Sequence, residues 1–82
     1  MIDIKHINVG DKVHYVPGHY GKDKYENGIV KEIPPFAYDP NSHVGYNCAR
    51  VVYNCGGNWE NYKDYTSALT NLNDLHHGWR FE

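Results

Sequence analysis

Apolar and polar side chains alternate from residue 12 to residue 17 (KVHYVP): Val13 and Tyr15 fall on one face of an extended chain, Lys12 and His14 on the other. That two-residue period is the mark of a half-buried strand. Gly10 and Asp11 punctuate its start, Pro17 and Gly18 its end. A second strand is predicted over residues 28–33 (GIVKEI), after an Asn27–Gly28 pair that readily takes positive φ, and is stopped by Pro34 and Pro35. Residues 50–55 (RVVYNC) are β-branched and aromatic and run into Gly56 and Gly57, which predicts a third. In the fourth, residues 65–70, Tyr65, Ser67 and Leu69 alternate with Thr66 and Ala68, and Ile2 and Ile4 supply a short edge strand near the start.

No window of about eleven residues or more keeps a 3.6-residue period, so no long helix is expected. Within TNLNDL, Asn71 caps a single helical turn that carries Leu72 and Leu75 inward, and Gly78 then releases the chain into Trp79 and the residues after it. The expected core is Val13, Val30, Ile33, Val51, Leu69, Leu72 and Leu75, joined by Tyr15 or Trp79.

The segments VGDKVHYVP, YENGIVKEI, RVVYN and TNLNDLHHGW resemble the SH3-like barrel family in its Tudor and KOW variants. The resemblance implies a mainly β fold: a small five-stranded SH3-like barrel with one short helical turn before the last strand. The ALYDY-type segment and paired tryptophan of peptide-binding SH3 domains are missing, so it does not imply polyproline recognition. The chain also resembles small proteins of intestinal anaerobic bacteria and their phages.

With 82 residues the chain is read as a single domain over 1–82, and a domain of that size buries only about 60 to 65% of the surface its unfolded chain exposes. A core and a deep catalytic cleft do not both fit. The net charge of −2 provides no basic footprint for phosphates. Lysines do gather early in the chain, at Lys5, Lys12, Lys22, Lys24 and Lys31, while Glu60, Asp64, Asp74 and Glu82 dominate its end. No stretch approaches the roughly 18 apolar residues that cross a bilayer, and MIDIKHINVGD lacks the basic and apolar regions of a leader, so a cytoplasmic protein of the producing or infected cell is expected. Cys48 and Cys55, if joined by one extended strand, would stand about 23 Å apart at roughly 3.3 Å per residue. A disulfide needs a Cα separation of about 4.4 to 6.8 Å, so two reduced thiols are expected, in keeping with the cytosol.

Six histidines raise the question of a metal, but their spacing argues against one. His76 and His77 are adjacent and point apart in an extended chain, His14 and His19 straddle a Pro17–Gly18 turn, and neither cysteine has a ligand two to four residues away. No nucleophile elbow, P-loop, dinucleotide fingerprint or His-Glu metal motif occurs, so neither catalysis nor a cofactor is expected.

The anomaly is aromatic: eight tyrosines and two tryptophans exceed what a narrow barrel can bury. Tyr20 and Tyr25 lie in HYGKDKYENG, and Trp59 and Tyr62 lie in GGNWENYKD. In an up-and-down meander these two loops emerge at one end, which makes the four rings, with Asp23, Glu26 and Glu60, a candidate binding surface. In Tudor-type relatives such rings form a cage for a methylated cation. The competing reading is a structural lid of Trp59 and Tyr62. The favoured function is a non-catalytic module for a protein partner, an adaptor or a phage-encoded inhibitor of a host defence protein. The alternative is a nucleotide or nucleic-acid binder in which the rings stack on bases and Lys12, Lys22, Lys24 and Lys31 meet phosphates. Homodimerisation through an edge strand is a further option. Placing Val51 at the centre of a core strand generates a test: Val51→Asp should unfold the protein, read as loss of a thermal transition, because an unpaired buried charge costs several kcal/mol against a total of about 5 kcal/mol.

Overall fold

The computed structural model describes residues 2–17 and 24–81. Within them the chain forms one antiparallel sheet of β1 (Lys12–Tyr15), β2 (Glu26–Glu32), β3 (Cys48–Val52), β4 (Ala68–Asn71) and β5 (Leu75–His77), in the order β4-β3-β2-β1-β5. The first four strands are a meander, each paired with its predecessor. β5 returns to the far edge and pairs with β1, Tyr15 opposite Leu75 and His14 opposite His76.

Short 3₁₀ turns at Ile4–His6, Pro35–Tyr38, Trp59–Asp64 and Leu72–Asp74 link these strands or precede them. The last of these is the helical turn expected near Leu72, and the Asn71 side chain accepts the Asn73 N–H at 2.8 Å, capping it as anticipated. Among the described residues no helix is long and apolar enough to cross a membrane.

β4 and β5 stand at opposite edges of the sheet, yet only Leu72–Asp74 separate them. At about 4.8 Å per strand, a flat sheet of this order would hold its edges about 19 Å apart. Three intervening residues reach about 14 Å at most even when fully extended, and a 3₁₀ turn is shorter still. The sheet therefore curls. Its concave face is filled by Ile2, Ile7, Val13, Val30, Ala49, Val51, Leu72 and Leu75, with Tyr15, Ile33 and Tyr53 half-buried at the margin. Across the convex face Lys12, Ile29 and Val52 lie opposite one another in register, and Ile29 and Val52 are buried there as well.

Several sequence expectations are corrected by this register. β2 begins at Glu26, two residues before the expected start at residue 28, so Asn27 and Gly28 pair with His14 and Val13 inside it. Gly28 is there because the neighbouring strand comes too close for a side chain, an added Cβ standing 2.7 Å from Val51 Cγ1 and 2.8 Å from the Val52 carbonyl oxygen. β3 starts at Cys48, two residues early, and Tyr53 lies beyond its end. β4 begins at Ala68 rather than residue 65, with Thr70 opposite Ala49 and Leu69 opposite Arg50. Thr70 is therefore buried and Leu69 exposed, since neighbouring residues of a strand face opposite ways. Ile2 and Ile4 form no edge strand: Asp3 caps a 3₁₀ turn by accepting the Lys5 N–H at 2.9 Å, and Ile2 enters the core, its N–H on the Leu72 carbonyl at 3.1 Å. Gly28→Ala should cost about 1 to 3 kcal/mol as overpacking, a fall of several degrees in the melting temperature.

Candidate functional site

β1 ends and β2 begins where β3 ends and β4 begins, so the strand order brings both long connections out at one end of the sheet. Tyr15, the last residue of β1, and Tyr53, just past β3, meet there with ring centroids 5.9 Å apart, tilted at 53°. With Glu26, Thr70 and Asp74 they line a cleft of ≈ 270 Å³. A second hollow of ≈ 250 Å³ shares Tyr15 and Glu26 and adds Pro17, Lys24 and Tyr25.

The hydroxyls in the cleft form a chain. Thr70 Oγ1 donates to the Ala68 carbonyl at 3.3 Å, so the Tyr53 hydroxyl, 2.8 Å away, donates to Thr70. The Tyr53 phenol is pushed up to about 12, chiefly by burial; Tyr15, Glu26 and Asp74 add to the rise, and the Thr70 hydrogen bond opposes it. Among the described residues neither Glu26 nor Asp74 makes an ion pair. Two ring faces beside two carboxylates make a site of negative potential, suited to a cationic group.

Of the residues singled out in the sequence, Tyr25 and Glu26 belong to this end. Tyr20 and Asp23 lie outside the described residues, as do Lys22 and His19. Trp59 and Tyr62 are placed elsewhere, because the β3–β4 connection folds back across the convex face instead of projecting from the end. Trp59 is half-buried against Trp79, ring centroids 5.0 Å apart, and the Tyr62 hydroxyl comes up against Gly10 at the start of β1. Lys31 Nζ holds the same connection, donating to the Tyr65 carbonyl at 2.7 Å. Glu60 stands exposed in that 3₁₀ turn. Among the described residues no ring contact joins Tyr25 to Trp59; they are linked only through the chain after Gly78, where Trp79 meets Trp59 and the Arg80 guanidinium lies 4.8 Å over the Tyr25 ring.

Tyr15, Tyr53, Thr70 and Asp74 were missed as site residues. The signal for two of them was present: in a meander the last residue of strand one and the first after strand three share an end, and both are tyrosine. Thr70 and Asp74 arrive only through the curl that swings β4 and the Leu72–Asp74 turn over that end.

Of the lysines expected to form a basic patch, Lys12 Nζ sits 4.6 Å over the Trp79 ring and Lys31 holds Tyr65. Cys48 and Cys55 are free thiols, Cys48 half-buried and raised in pKa by that burial, Cys55 buried. His14 and His76 stack across β1 and β5 with centroids 5.1 Å apart, and His14 Nδ1 donates to the Gly78 carbonyl at 2.8 Å. Among the described residues no three His, Cys, Asp or Glu side chains come together as metal ligands. Comparison of the chain with protein-family models, curated proteins and solved structures found no match.

Because the folded protein holds the Tyr53 phenol protonated up to about pH 12, against 10 ordinarily, its contribution to stability is complete below pH 10 and is lost as pH rises through 12. Tyr53→Phe should lower stability by about 1 kcal/mol at neutral pH through the lost hydrogen bond and should lessen the decline between pH 10 and 12, as read by denaturant titration across that range.

Proposed function

We propose that this chain is a closed SH3-like barrel that serves as a small non-catalytic protein-binding module, an adaptor or an inhibitor that occupies a site on a larger protein. The strand order β4-β3-β2-β1-β5 and the single 3₁₀ turn joining its edges support the barrel reading. The observation that carries the function is the tyrosine end: Tyr15, Tyr25 and Tyr53 around Glu26 and Asp74, in hollows open to solvent. A lysine or arginine side chain of the partner lies against the Tyr15 and Tyr53 rings in the cleft, its charge met by the two carboxylates, while Tyr25 and Pro17 take up apolar surface beside it. Tyrosines give such a contact large area at small entropic cost. The free thiols and the balance of charge suit a cytoplasmic protein of the producing or infected cell.

The experiment is affinity capture from the native cell lysate, followed by titration of the captured protein against wild type, Tyr25→Ala and Glu26→Gln. Each substitution should weaken binding, Tyr25→Ala by about 2 kcal/mol or more, with the melting temperature nearly unchanged. Affinity should fall only gently with salt. A steep linear fall of log affinity with log salt, or capture of nucleic acid, would instead favour the base-stacking alternative. Unaltered affinity in both variants would remove this end of the molecule as the contact.

A further inference from the structure

The last described residues are held in an unusual way. Gly78 closes β5 with its N–H on the Lys12 carbonyl at 2.8 Å and a φ of +82°, and the chain then leaves the sheet. Beyond it, among the described residues, no strand pairs with the backbone. Instead, one side chain grips one residue in both directions: Asn27 Oδ1 accepts the Arg80 N–H at 2.8 Å and Asn27 Nδ2 donates to the Arg80 carbonyl at 2.8 Å. That grip reads backbone only. The side chains on either side of it are read separately, Trp79 by its Nε1–H on the Gly28 carbonyl at 2.8 Å, by the Trp59 ring and by Lys12, and Arg80 by the face of Tyr25. Phe81 follows, edge-on to Trp79 at 6.2 Å and 76% exposed.

A backbone clamp with adjacent ring pockets is how extended peptides are recognised, main-chain hydrogen bonds for affinity and side-chain pockets for specificity. None of residues 79–81 belongs to the core cluster, so lifting them leaves the concave core intact and uncovers only part of the convex face.

We propose that the seat of residues 79–81 is a peptide-binding site, filled in cis by the chain's own Trp79 and Arg80, which admits from a partner protein an extended segment bearing an aromatic residue followed by a basic one. Arg80 stands in for the partner's basic residue over Tyr25, so this segment restrains binding until a stronger ligand displaces it. The proposal rests on the protein-binding reading above for the existence of a partner, but the seat is tested without one.

The probe is a fluorescein-labelled acetyl-Gly-Trp-Arg-Phe-amide peptide, titrated by anisotropy into the full chain and into its Trp79→Ala/Arg80→Ala variant. An intramolecular segment competes at an effective concentration of about a millimolar, so the wild type should bind the probe at least about tenfold more weakly than the emptied variant. The same peptide with alanine for arginine should bind the variant about fivefold more weakly, the cation having lost its ring face. Asn27→Ala added to the variant should abolish binding. Equal affinity of variant and wild type, or of the two peptides, overturns the proposal. If circular dichroism shows the double variant unfolded, the wild type decides: millimolar peptide should move the Trp79 indole N–H resonance saturably towards its solvent-exposed position, and an unmoved resonance overturns the proposal. If the peptide binds and Asn27→Ala weakens the captured partner while Glu26→Gln leaves it unaffected, the seat stands and the tyrosine end fails; the converse pattern retires the seat alone.

Discussion

The constraint on which the structure depends is the length of the turn between β4 and β5. Residues 72–74 alone carry the chain from one edge of the sheet to the other. Leu72 within that turn and Leu75 just after it are both fully buried, so the link is anchored in the core it helps to enclose. A flat sheet cannot meet that requirement. Curling it gives the apolar side chains of β1, β2 and β3 a concave space to fill, which Ile2 completes from the start of the chain through its hydrogen bond to the Leu72 carbonyl.

Curling also divides the aromatic residues into two groups with different work. On the convex face Ile29 and Val52 would be left in water, and burying such side chains is worth about 1.5 to 3 kcal/mol each. The β3–β4 connection and the chain after Gly78 lie over that face, with Trp59 against Trp79 and Lys12 above the indole. At the end of the sheet Tyr15 and Tyr53 keep one side on the core and turn the other towards a cleft that also holds Glu26 and Asp74. Tyrosine suits that position because its ring can be buried while its hydroxyl finds a partner, as Tyr53 does in Thr70.

The two groups are joined by the segment at residues 79–81. Trp79 belongs to the convex face and Arg80 to the Tyr25 side, so one short stretch of chain spans both. Asn27, sitting within β2 opposite His14, fixes that stretch by its backbone.

The alternation of Val13 and Tyr15 with Lys12 and His14, the β-branched run at residues 51–52, the paired prolines at 34 and 35 and the Asn71 cap were enough to determine from the sequence a mainly β chain with four consecutive strands and a helical turn at Leu72. These are local properties, written in two-residue periodicity and in the conformational limits of proline and asparagine. Where each strand stopped was not local. Gly28 reads as the first residue of its strand until the pairing with Val13 and the close approach of Val51 and Val52 place it inside β2, and Leu69 reads as core until pairing with Arg50 turns it outward. The candidate site divided in the same way. Tyr25 and Glu26 were legible because they border a long connection between strands, whereas Trp59 and Tyr62 were assigned to the same end on the strength of a topology that says where a connection starts but not where it folds. Only the tertiary structure placed Tyr53, Thr70 and Asp74 beside Tyr15, because their meeting depends on the curl of the whole sheet, and that curl follows from the reach of three residues between its edges rather than from any pattern within a strand.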